Sequence, residues 1–178
     1  LPGEHNVYNT LAVVSALNEA NCLNGIAPHT ETFTGMGRRF QKMLEINGIP
    51  VYDDYAHHPT EVQATLSAMK SFTTRNVVAV FQPHRYTRLQ SLWDEFKQAL
   101  TGIDRLIITD VYAASEQPIE GINSEKFASE IKNAEYIKGS IEEVAKTLPT
   151  LNTNDVVIGL GAGSITKLGE YLDKANKE

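Results

Sequence analysis

Two short segments of the sequence concentrate side chains that could bind anions or accept protons. The first reads Asp-Asp-Tyr-Ala-His-His-Pro-Thr-Glu over 53–61, so that two carboxylates and two imidazoles stand close together. A carboxylate there can hold ribose hydroxyl groups, and the Tyr and His side chains can face a substrate. A polar loop with a helix cap is an equally simple interpretation. A metal site is a third one, but adjacent histidines point in different directions and no third ligand is evident.

The second segment, Gln-Pro-His-Arg-Tyr-Thr-Arg over 82–88, is the strongest local signal. Arg85 and Arg88 stand three residues apart at the predicted start of a helix, where backbone amide dipoles favour anions. An arginine binds a carboxylate or a phosphate through two parallel hydrogen bonds. We therefore interpret this segment as an anion-binding loop. A purely structural role for its arginines, His84 and Tyr86 is the alternative.

Three further segments are polar or rich in glycine. Residues 159–164 read Gly-Leu-Gly-Ala-Gly-Ser between a predicted strand and a predicted helix. Free amides there could meet an anion, although a tight turn explains the pattern equally well. Residues 33–40 place Arg38 and Arg39 beside glycines, either in a solvated loop or aimed at a phosphate. Residues 110–116 form a polar strand end to which the sequence assigns no single role.

Two motifs that would define a reaction class do not occur in the sequence. There is no Gly-x-x-x-x-Gly-Lys-Ser/Thr loop to bind a triphosphate and no Gly-x-Ser-x-Gly nucleophile turn. The candidate residues are therefore interpreted as part of an active site. They supply arginines, a ribose-binding carboxylate and anion-binding turns, without a triphosphate-binding loop of their own.

Alternating strands and helices must position these segments. Apolar runs predict strands over 40–46, 50–53, 76–81, 105–109, 135–137 and 155–159. Apolar residues at helical spacing predict helices over 6–20, 60–72, 89–100, 124–133, 141–148 and 165–175. Asn47-Gly48 predicts a type I′ hairpin, Thr60 and Ser124 are predicted caps, and Pro149 is predicted to end a helix. This order predicts an α/β doubly wound sheet, in which ligands bind at the carboxyl ends of the strands.

Length and composition bound the function. The chain has 178 residues, of which 42% are hydrophobic and 21% charged, typical of one domain of roughly 150 residues. The net charge of −6 argues against a nucleic-acid-binding protein but leaves small anionic ligands open. Cys22 is the only cysteine, which excludes an intrachain disulfide and a multi-cysteine zinc site. No apolar run reaches the roughly 18 residues of a membrane span, and no signal peptide is recognisable.

The polar segments, taken in order, resemble those of one family. Gly3-Glu4-His5-Asn6-Val7-Tyr8-Asn9 resembles the Gly-x-His-Asn-x-x-Asn segment of the Mur ligases. The segments 33–40, 53–61, 81–88, 110–116 and 161–164 resemble further segments of that family, so the resemblance covers essentially the whole chain. It implies the last helix of a central ATP-binding domain over 1–28 and a complete C-terminal domain over 29–178. The C-terminal domain is expected to be Rossmann-like, with a mostly parallel sheet and helices on both faces.

The resemblance also implies a reaction. Mur ligases use ATP and Mg²⁺ to form an acyl phosphate on a muramic acid carboxylate, which an amine then attacks. The 82–88 segment is most like that of members that join L-alanine to UDP-N-acetylmuramate in peptidoglycan precursor synthesis. Ligases that recycle murein peptides are the alternative within the family, and a stand-alone nucleotide-binding module without catalysis is the alternative outside it.

The resemblance leaves two of the family's domains without a counterpart. The chain begins at Leu-Pro-Gly without an initiator Met, which suggests a piece of a longer protein. Neither the UDP-sugar-binding domain nor the phosphate loop is represented. We therefore expect this chain to be inactive alone, to hold no cofactor tightly, and to act with the missing N-terminal and central domains, without nucleic acid or membrane.

Individual roles follow from the resemblance by position. Asn6 and Asn9 are expected beside the adenine, Arg39 at the ATP phosphates, and Asp54 at the ribose hydroxyls. The other predicted residues line the amino-acid and acyl-phosphate region: Tyr55, His58, His84, Arg85 and Arg88. Of these, His58, Arg85 and Arg88 are the predicted catalytic residues, and His58 is the candidate general base. Positive charge there would stabilise the negative charge that develops during phosphoryl transfer and in the tetrahedral intermediate. No residue is predicted to bind a metal.

Overall fold

A six-stranded sheet organises the part of the protein that the structure describes. The computed structural model describes residues 3–24, 29, 35–148 and 151–177. Its strands are β1 (Gln41–Ile46), β2 (Ile49–Asp54), β3 (Asn76–Phe81), β4 (Arg105–Ile108), β5 (Ala134–Tyr136) and β6 (Asp155–Leu160). They are arranged in the order β1-β2-β6-β3-β4-β5, and every neighbouring pair is parallel except β1 with β2. The mostly parallel sheet predicted from the apolar runs is confirmed.

Helices cover both faces of this sheet. They are α1 (Glu4–Glu19), α2 (Pro59–Phe72), α3 (Tyr86–Ser91), α4 (Trp93–Ala99), α5 (Ser124–Ser129), α6 (Ile141–Thr147) and α7 (Leu168–Ala175), with a 3₁₀ helix over Ser164–Lys167 before α7. On one face, buried residues of α2 to α5 form a core with alternate strand residues such as Ala79 and Ile158. On the other, α6 and α7 pack on the intervening residues, including Val80 and Val157. The doubly wound architecture is therefore confirmed.

The hairpin between β1 and β2 forms as the sequence predicts. Asn47 and Gly48 both have positive φ, 49° and 81°, as a type I′ turn requires. Ile46 pairs with Ile49 across the turn. This turn makes β1 the one antiparallel strand of the sheet.

Several helix boundaries differ from the prediction. The predicted cap Thr60 is wrong, because α2 begins at Pro59 and the His58 side chain accepts from the Thr60 amide. Proline fits this first position because its missing N–H has no intrahelical partner there. The predicted cap Ser124 is also wrong: it is buried in α5, and Asn123 caps that helix.

Two predicted helices have a different internal structure. The helix predicted over 89–100 is two short helices, α3 and α4, that meet at Leu92. The helix predicted over 165–175 starts as a 3₁₀ turn before it becomes α7. Pro149, the predicted helix terminator, lies outside the described residues.

Helix α1 confirms the helix predicted near the start of the chain, yet four of its apolar residues are open. Val7, Tyr8, Leu11 and Val13 are each more than half exposed. The predicted domain boundary near residue 28, and Phe33 of the 33–40 segment, lie outside the described residues. Within the described part of the chain, no helix is both long and apolar enough to cross a membrane.

Candidate functional site

Four loops gather at the carboxyl edge of the sheet. The strands β2, β6, β3 and β4 are neighbours and end in register, because Asp54 pairs with Leu160, and Phe81 pairs with both Leu160 and Ile108. The ladder continues past the strands, since the Gly161 amide donates to the Asp54 carbonyl at 3.1 Å. The polar segments that follow these strands are therefore fixed side by side.

A row of four rings crosses this edge, and we call it the ring row: Tyr55, His57, His84 and Tyr112. Neighbouring centroids are 5.0 Å apart for Tyr55 and His57, 6.0 Å for His57 and His84, and 5.5 Å for His84 and Tyr112. The last pair is stacked, with an interplanar angle of 12°. The structure thus brings together the predicted Tyr55 and His84. It adds His57, which the sequence offered only as a possible metal ligand, and Tyr112, which sequence reasoning did not single out although it lies in a polar segment.

The His84 ring is held neutral. Its Nδ1 lies 3.0 Å from Nη1 of Arg88, and the same guanidinium donates to the His84 carbonyl at 3.2 Å. A guanidinium only donates, so Nδ1 accepts and the ring proton belongs on Nε2. Burial lowers the pKa of His84, and the positive charge of Arg88 lowers it further. His84 can therefore donate a hydrogen bond from Nε2 to an anion or a carbonyl oxygen.

The His57 ring has the opposite tautomer. Its Nδ1 lies 2.8 Å from the Tyr55 carbonyl oxygen and 3.3 Å from Oε2 of Glu61. Both oxygens accept, so Nδ1 carries a proton, and in the neutral ring Nε2 is an acceptor. In their neutral forms the two imidazoles of the ring row therefore offer one acceptor and one donor.

His58 has a structural contact that the sequence did not predict. Its ring Nδ1 accepts from the Thr60 amide at 3.4 Å, and its backbone amide donates to Glu61 at 3.2 Å. It also lines a groove of about 210 Å³ between α2 and α4, together with Gln63 and Glu95. The role of His58 as a catalytic base stays a prediction.

Asp54 uses both carboxylate oxygens on backbone amides. Oδ2 accepts from the Phe40 amide at 2.7 Å and Oδ1 from the Ala56 amide at 2.8 Å. Burial raises the pKa of this carboxyl, while the two amides and Arg39 pull it down. The side chain is 5% exposed and ties the 38–40 loop to the end of β2. Its role at the ribose hydroxyls stays a prediction.

Arg38 binds to the loops that carry the ring row, and we call these loops the framework. Its Nε contacts Oδ2 of the buried Asp53 at 3.1 Å, and its Nη2 donates to the Gly161 carbonyl at 2.7 Å. The guanidinium also lies 4.8 Å from the centroid of the Tyr55 ring. This arginine thus connects the loops after β2 and β6.

Two other arginines remain open to solvent. The side chain of Arg39 is 51% exposed and lies 3.8 Å from Glu61. The side chain of Arg85 is 49% exposed and lies 3.7 Å from Glu116. Both contacts are too long for good hydrogen bonds, so these two guanidinium groups are free to turn to an anion.

The glycine turn after β6 is shaped by close packing. A Cβ on Gly161, whose φ is +146°, would lie 2.8 Å from the Gln82 carbonyl oxygen. A Cβ on Gly163 would lie 2.5 Å from the Tyr112 ring and 2.6 Å from Oε1 of Gln82. That oxygen accepts from the Ile165 amide at 3.0 Å. The structure therefore accounts for these two glycines by contact with the ring row and with buried Gln82.

The remaining predicted residues are on α1, where Asn6 and Asn9 lie three residues apart and Asn9 is exposed. Their role beside the adenine stays a prediction.

In the part of the chain that the structure describes, no group of three or more His, Cys, Asp or Glu side chains is placed to hold a metal ion.

Fold and site together define an α/β domain that collects arginines and imidazoles at the carboxyl edge of a parallel sheet. The chain belongs to the Mur ligase family. A family model described as "Mur ligase, glutamate ligase domain" matches residues 38–163, which include all four site loops.

The relatives that the chain matches are longer than it is. A UDP-N-acetylmuramate–L-alanine ligase from Geotalea daltonii is 42% identical over 184 aligned residues, which cover 100% of this chain and 40% of that protein. The crystal structure of UDP-N-acetylmuramate-alanine ligase from Thermotoga maritima matches with a TM-score of 0.77 and 29% identity, over 99% of this chain and 39% of that one. A murein peptide ligase from Psychrobacter arcticus matches with a TM-score of 0.68 and 22% identity, over 99% of this chain and 38% of that one, which shows the fold alone.

Proposed function

We propose that this chain is the C-terminal part of a longer ATP-dependent ligase. That enzyme joins L-alanine to the carboxylate of UDP-N-acetylmuramate through an acyl phosphate, in cytoplasmic peptidoglycan precursor synthesis. The observation that carries the proposal is the ring row flanked by the exposed Arg39 and Arg85. The names of the relatives from Geotalea daltonii and Thermotoga maritima support the choice of substrate.

The proposed division of the chain follows the same comparison. Residues 1–28 are assigned to the last helix of a central ATP-binding domain, and 29–178 to the C-terminal domain. The chain spans about 40% of the length of the Geotalea daltonii relative, which leaves room for a UDP-sugar domain and a phosphate loop in a longer protein. The open apolar side chains on α1 support this division, because a helix with such a surface usually packs on a neighbour.

In the proposed site, the substrate amino acid lies against the loop after β3. Arg85 and Arg88 bind its carboxylate, and the Nε2 proton of His84 is available to the same anion or to the developing oxyanion. Arg88 approaches His84 from the Nδ1 side, so it fixes the ring while keeping the proton on Nε2. Tyr55 lies beside both arginines of the 38–40 loop and completes the amino-acid side of the site.

The amine must lose a proton when it attacks the acyl phosphate. We assign His58 only a candidate role in this step, because its ring caps α2. In its neutral form His57 presents Nε2 as an acceptor within the ring row, and the Tyr55 carbonyl and Glu61 hold the orientation of the ring. The geometry therefore favours His57 over His58 as the proton acceptor.

The nucleotide side of the site is formed by Asn6, Asn9, Arg39 and Asp54 in this proposal. Arg39 is the exposed cation that approaches the ATP phosphates when the domains close, a role for which a mobile guanidinium is suited. The described residues of this chain do not assemble a Mg²⁺ site. We therefore place any Mg²⁺ that accompanies ATP on another part of the longer protein and assign it no contact here.

The test is L-alanine-dependent release of ADP by this chain joined to the N-terminal and central domains of its parent protein. Arg85→Ala and Arg88→Ala should each lower kcat/KM for L-alanine by roughly a hundredfold, because a charge-assisted clamp on the carboxylate is lost. The matched control is Lys174→Ala on the distant α7. Turnover that is unchanged in both arginine variants contradicts the proposed roles, and turnover with a murein tripeptide in place of L-alanine contradicts the proposed substrate.

A further inference from the structure

Glu116 connects the loop after β4 to the start of α3, and the sequence assigned no role to the polar segment that contains it. Its Oε1 accepts from Oγ1 of Thr87 at 2.6 Å, and its Oε2 accepts from the Thr87 amide at 3.1 Å. The hydrogen bonds from Thr87 and the charge of Arg85 lower the pKa of this carboxyl. Glu116 is therefore an ionised side chain with both oxygens engaged at the first turn of α3.

The backbone next to this contact is in an uncommon conformation. Arg85 has φ +74°, in the left-handed region that arginine rarely adopts. Its amide donates to the Tyr112 carbonyl at 2.9 Å, and the Tyr112 amide donates to the Pro83 carbonyl at 2.8 Å. Arg85 is thus held from one side by Tyr112, while Glu116 holds the residues that follow it. A conformation that costs of order 1–3 kcal/mol persists only under such restraint.

Glu116 also lies close to the guanidinium group of Arg85 and attracts it by charge. Its Oε1 lies 3.7 Å from Nη1 of Arg85, and the Glu116 side chain is 18% exposed while that of Arg85 is 49% exposed. The carboxylate can therefore orient Arg85 without covering it. Glu116 does not itself bind the carboxylate that Arg85 is proposed to bind, because two carboxylates repel each other.

We propose that Glu116 is a positioning residue, which fixes Arg85 and the first turn of α3 so that Arg85 and Arg88 meet the carboxylate of the amino-acid substrate together. This inference rests on the proposed function for the identity of that carboxylate. The restraint itself rests only on the contacts of Glu116 with Thr87 and Arg85.

Two variants separate the parts of this role. Glu116→Gln keeps an oxygen that can accept from Thr87 but removes the charge facing Arg85, whereas Glu116→Ala removes both. In the longer protein, we expect Glu116→Ala to raise KM for L-alanine roughly tenfold and Glu116→Gln roughly threefold. The change in kcat should stay within about twofold in both, because Glu116 touches no reacting atom.

Glu142→Gln on α6 is the matched control, since it removes a carboxylate that pairs with Lys146 on the outer surface. It should leave KM for L-alanine unchanged. An unchanged KM in Glu116→Ala, with a melting temperature that shows the variant is folded, overturns the proposal. So does a fall in kcat without a rise in KM.

The 178-residue chain alone provides a second measurement that does not depend on activity. In ¹H–¹⁵N spectra, Glu116→Ala should shift the Thr87 amide and broaden the Arg85 Nε–H signal, with the Lys174 region unchanged. Loss of the Glu116 charge should also lower the pKa of His84 further, because Glu116 raises it in the native chain. Unchanged Thr87 and Arg85 signals overturn the inference even if the ligase reaction is established. Changed signals in this chain, together with no L-alanine-dependent turnover by the longer protein, would instead contradict the proposed function alone.

Discussion

The two arginine pairs of the site, Arg38 with Arg39 and Arg85 with Arg88, are built alike on two different loops. In each pair one arginine is bound to the framework. Arg38 contacts buried Asp53 and the Gly161 carbonyl, and Arg88 contacts the His84 ring and carbonyl. The other member, Arg39 or Arg85, is half exposed beside a glutamate that also accepts hydrogen bonds at a helix start.

The two pairs differ in what the framework arginine holds. Arg38 neutralises a carboxylate that is 3% exposed, so its contribution is mainly to the stability of the loop. Arg88 contacts a neutral imidazole, so its contribution is mainly to the protonation of His84. Two pairs of equal charge therefore differ in effect, since one contributes to the stability of its loop and the other to the protonation state of His84.

The largest effect is expected where the first pair is broken. Arg38→Ala leaves Asp53 buried without its cation, and the free energy of unfolding should fall by about 3 kcal/mol. Arg39→Ala removes an exposed contact and should cost about 0.5 kcal/mol or less. Urea denaturation of the 178-residue chain measures both. Equal losses in the two variants would contradict the division of the pair into a framework and an exposed member.

An intermediate effect is expected at the glycine turn, which packs on the Tyr112 ring that is stacked on His84. Gly163→Ala places a methyl group against the Tyr112 ring and Gln82, which must move. Overpacking of this kind should cost about 1–3 kcal/mol and disturb the stack of Tyr112 on His84.

Gly37→Ala is the matched control, because a Cβ there meets its nearest neighbour at an ordinary 3.6 Å. Thermal unfolding and the aromatic ¹H signals of Tyr112 report the two consequences separately. A Gly163→Ala protein with native stability and an unshifted Tyr112 ring would show that the stack does not depend on the close approach of the glycine turn.

The smallest effect is expected in how the stability of the chain depends on pH through His84, the residue that Arg88 of the second pair contacts. The pKa of His84 lies below its ordinary value of 6.5 in the folded chain, so the unfolded chain binds more protons as the pH falls from 7. The stability contributed by neutral His84 is present above pH 6.5 and is lost as the pH falls through the folded-state pKa.

Arg88→Met should raise the pKa of His84 and reduce this loss, since Arg88 is the strongest charged cause of the shift. Titration of the His84 ring nitrogens by NMR measures the pKa directly. Arg39→Met serves as the comparison and should leave the His84 titration nearly unchanged. A larger shift in Arg39→Met than in Arg88→Met would reverse the assignment of roles within the site.

Much of the fold could be predicted because local pattern and tertiary packing agree. The apolar runs located the strands to within a residue or two, and Asn47-Gly48 specified its turn. Helix starts were less predictable, because neighbouring polar residues compete to cap them. His58 rather than Thr60 and Asn123 rather than Ser124 are chosen by where the backbone turns, which depends on the preceding strand or loop.

The site could be predicted only in part, for a related reason. Tyr55, His84, Arg85 and Arg88 stand out because each lies in a polar segment beside other candidates. The ring row also needs His57 and Tyr112, whose positions follow from the register of β2, β3 and β4. In the sequence only the family resemblance distinguished Arg39 from Arg38, and the folded chain gives a physical reason for the difference, because it places Asp53 beside Arg38.

The strand order has a consequence for how this protein is made. β6 lies between β2 and β3 in the sheet although it is the last strand along the chain, and Val157 pairs with both Val51 and Val78. On the ribosome, β2 and β3 must wait for residues 155–160 before they have a partner on that side. Pairing across such a distance in sequence is slow, and waiting apolar strands are exposed to other nascent chains. We therefore expect the chain to need chaperones, and to aggregate, mainly during the time before β6 emerges from the ribosome.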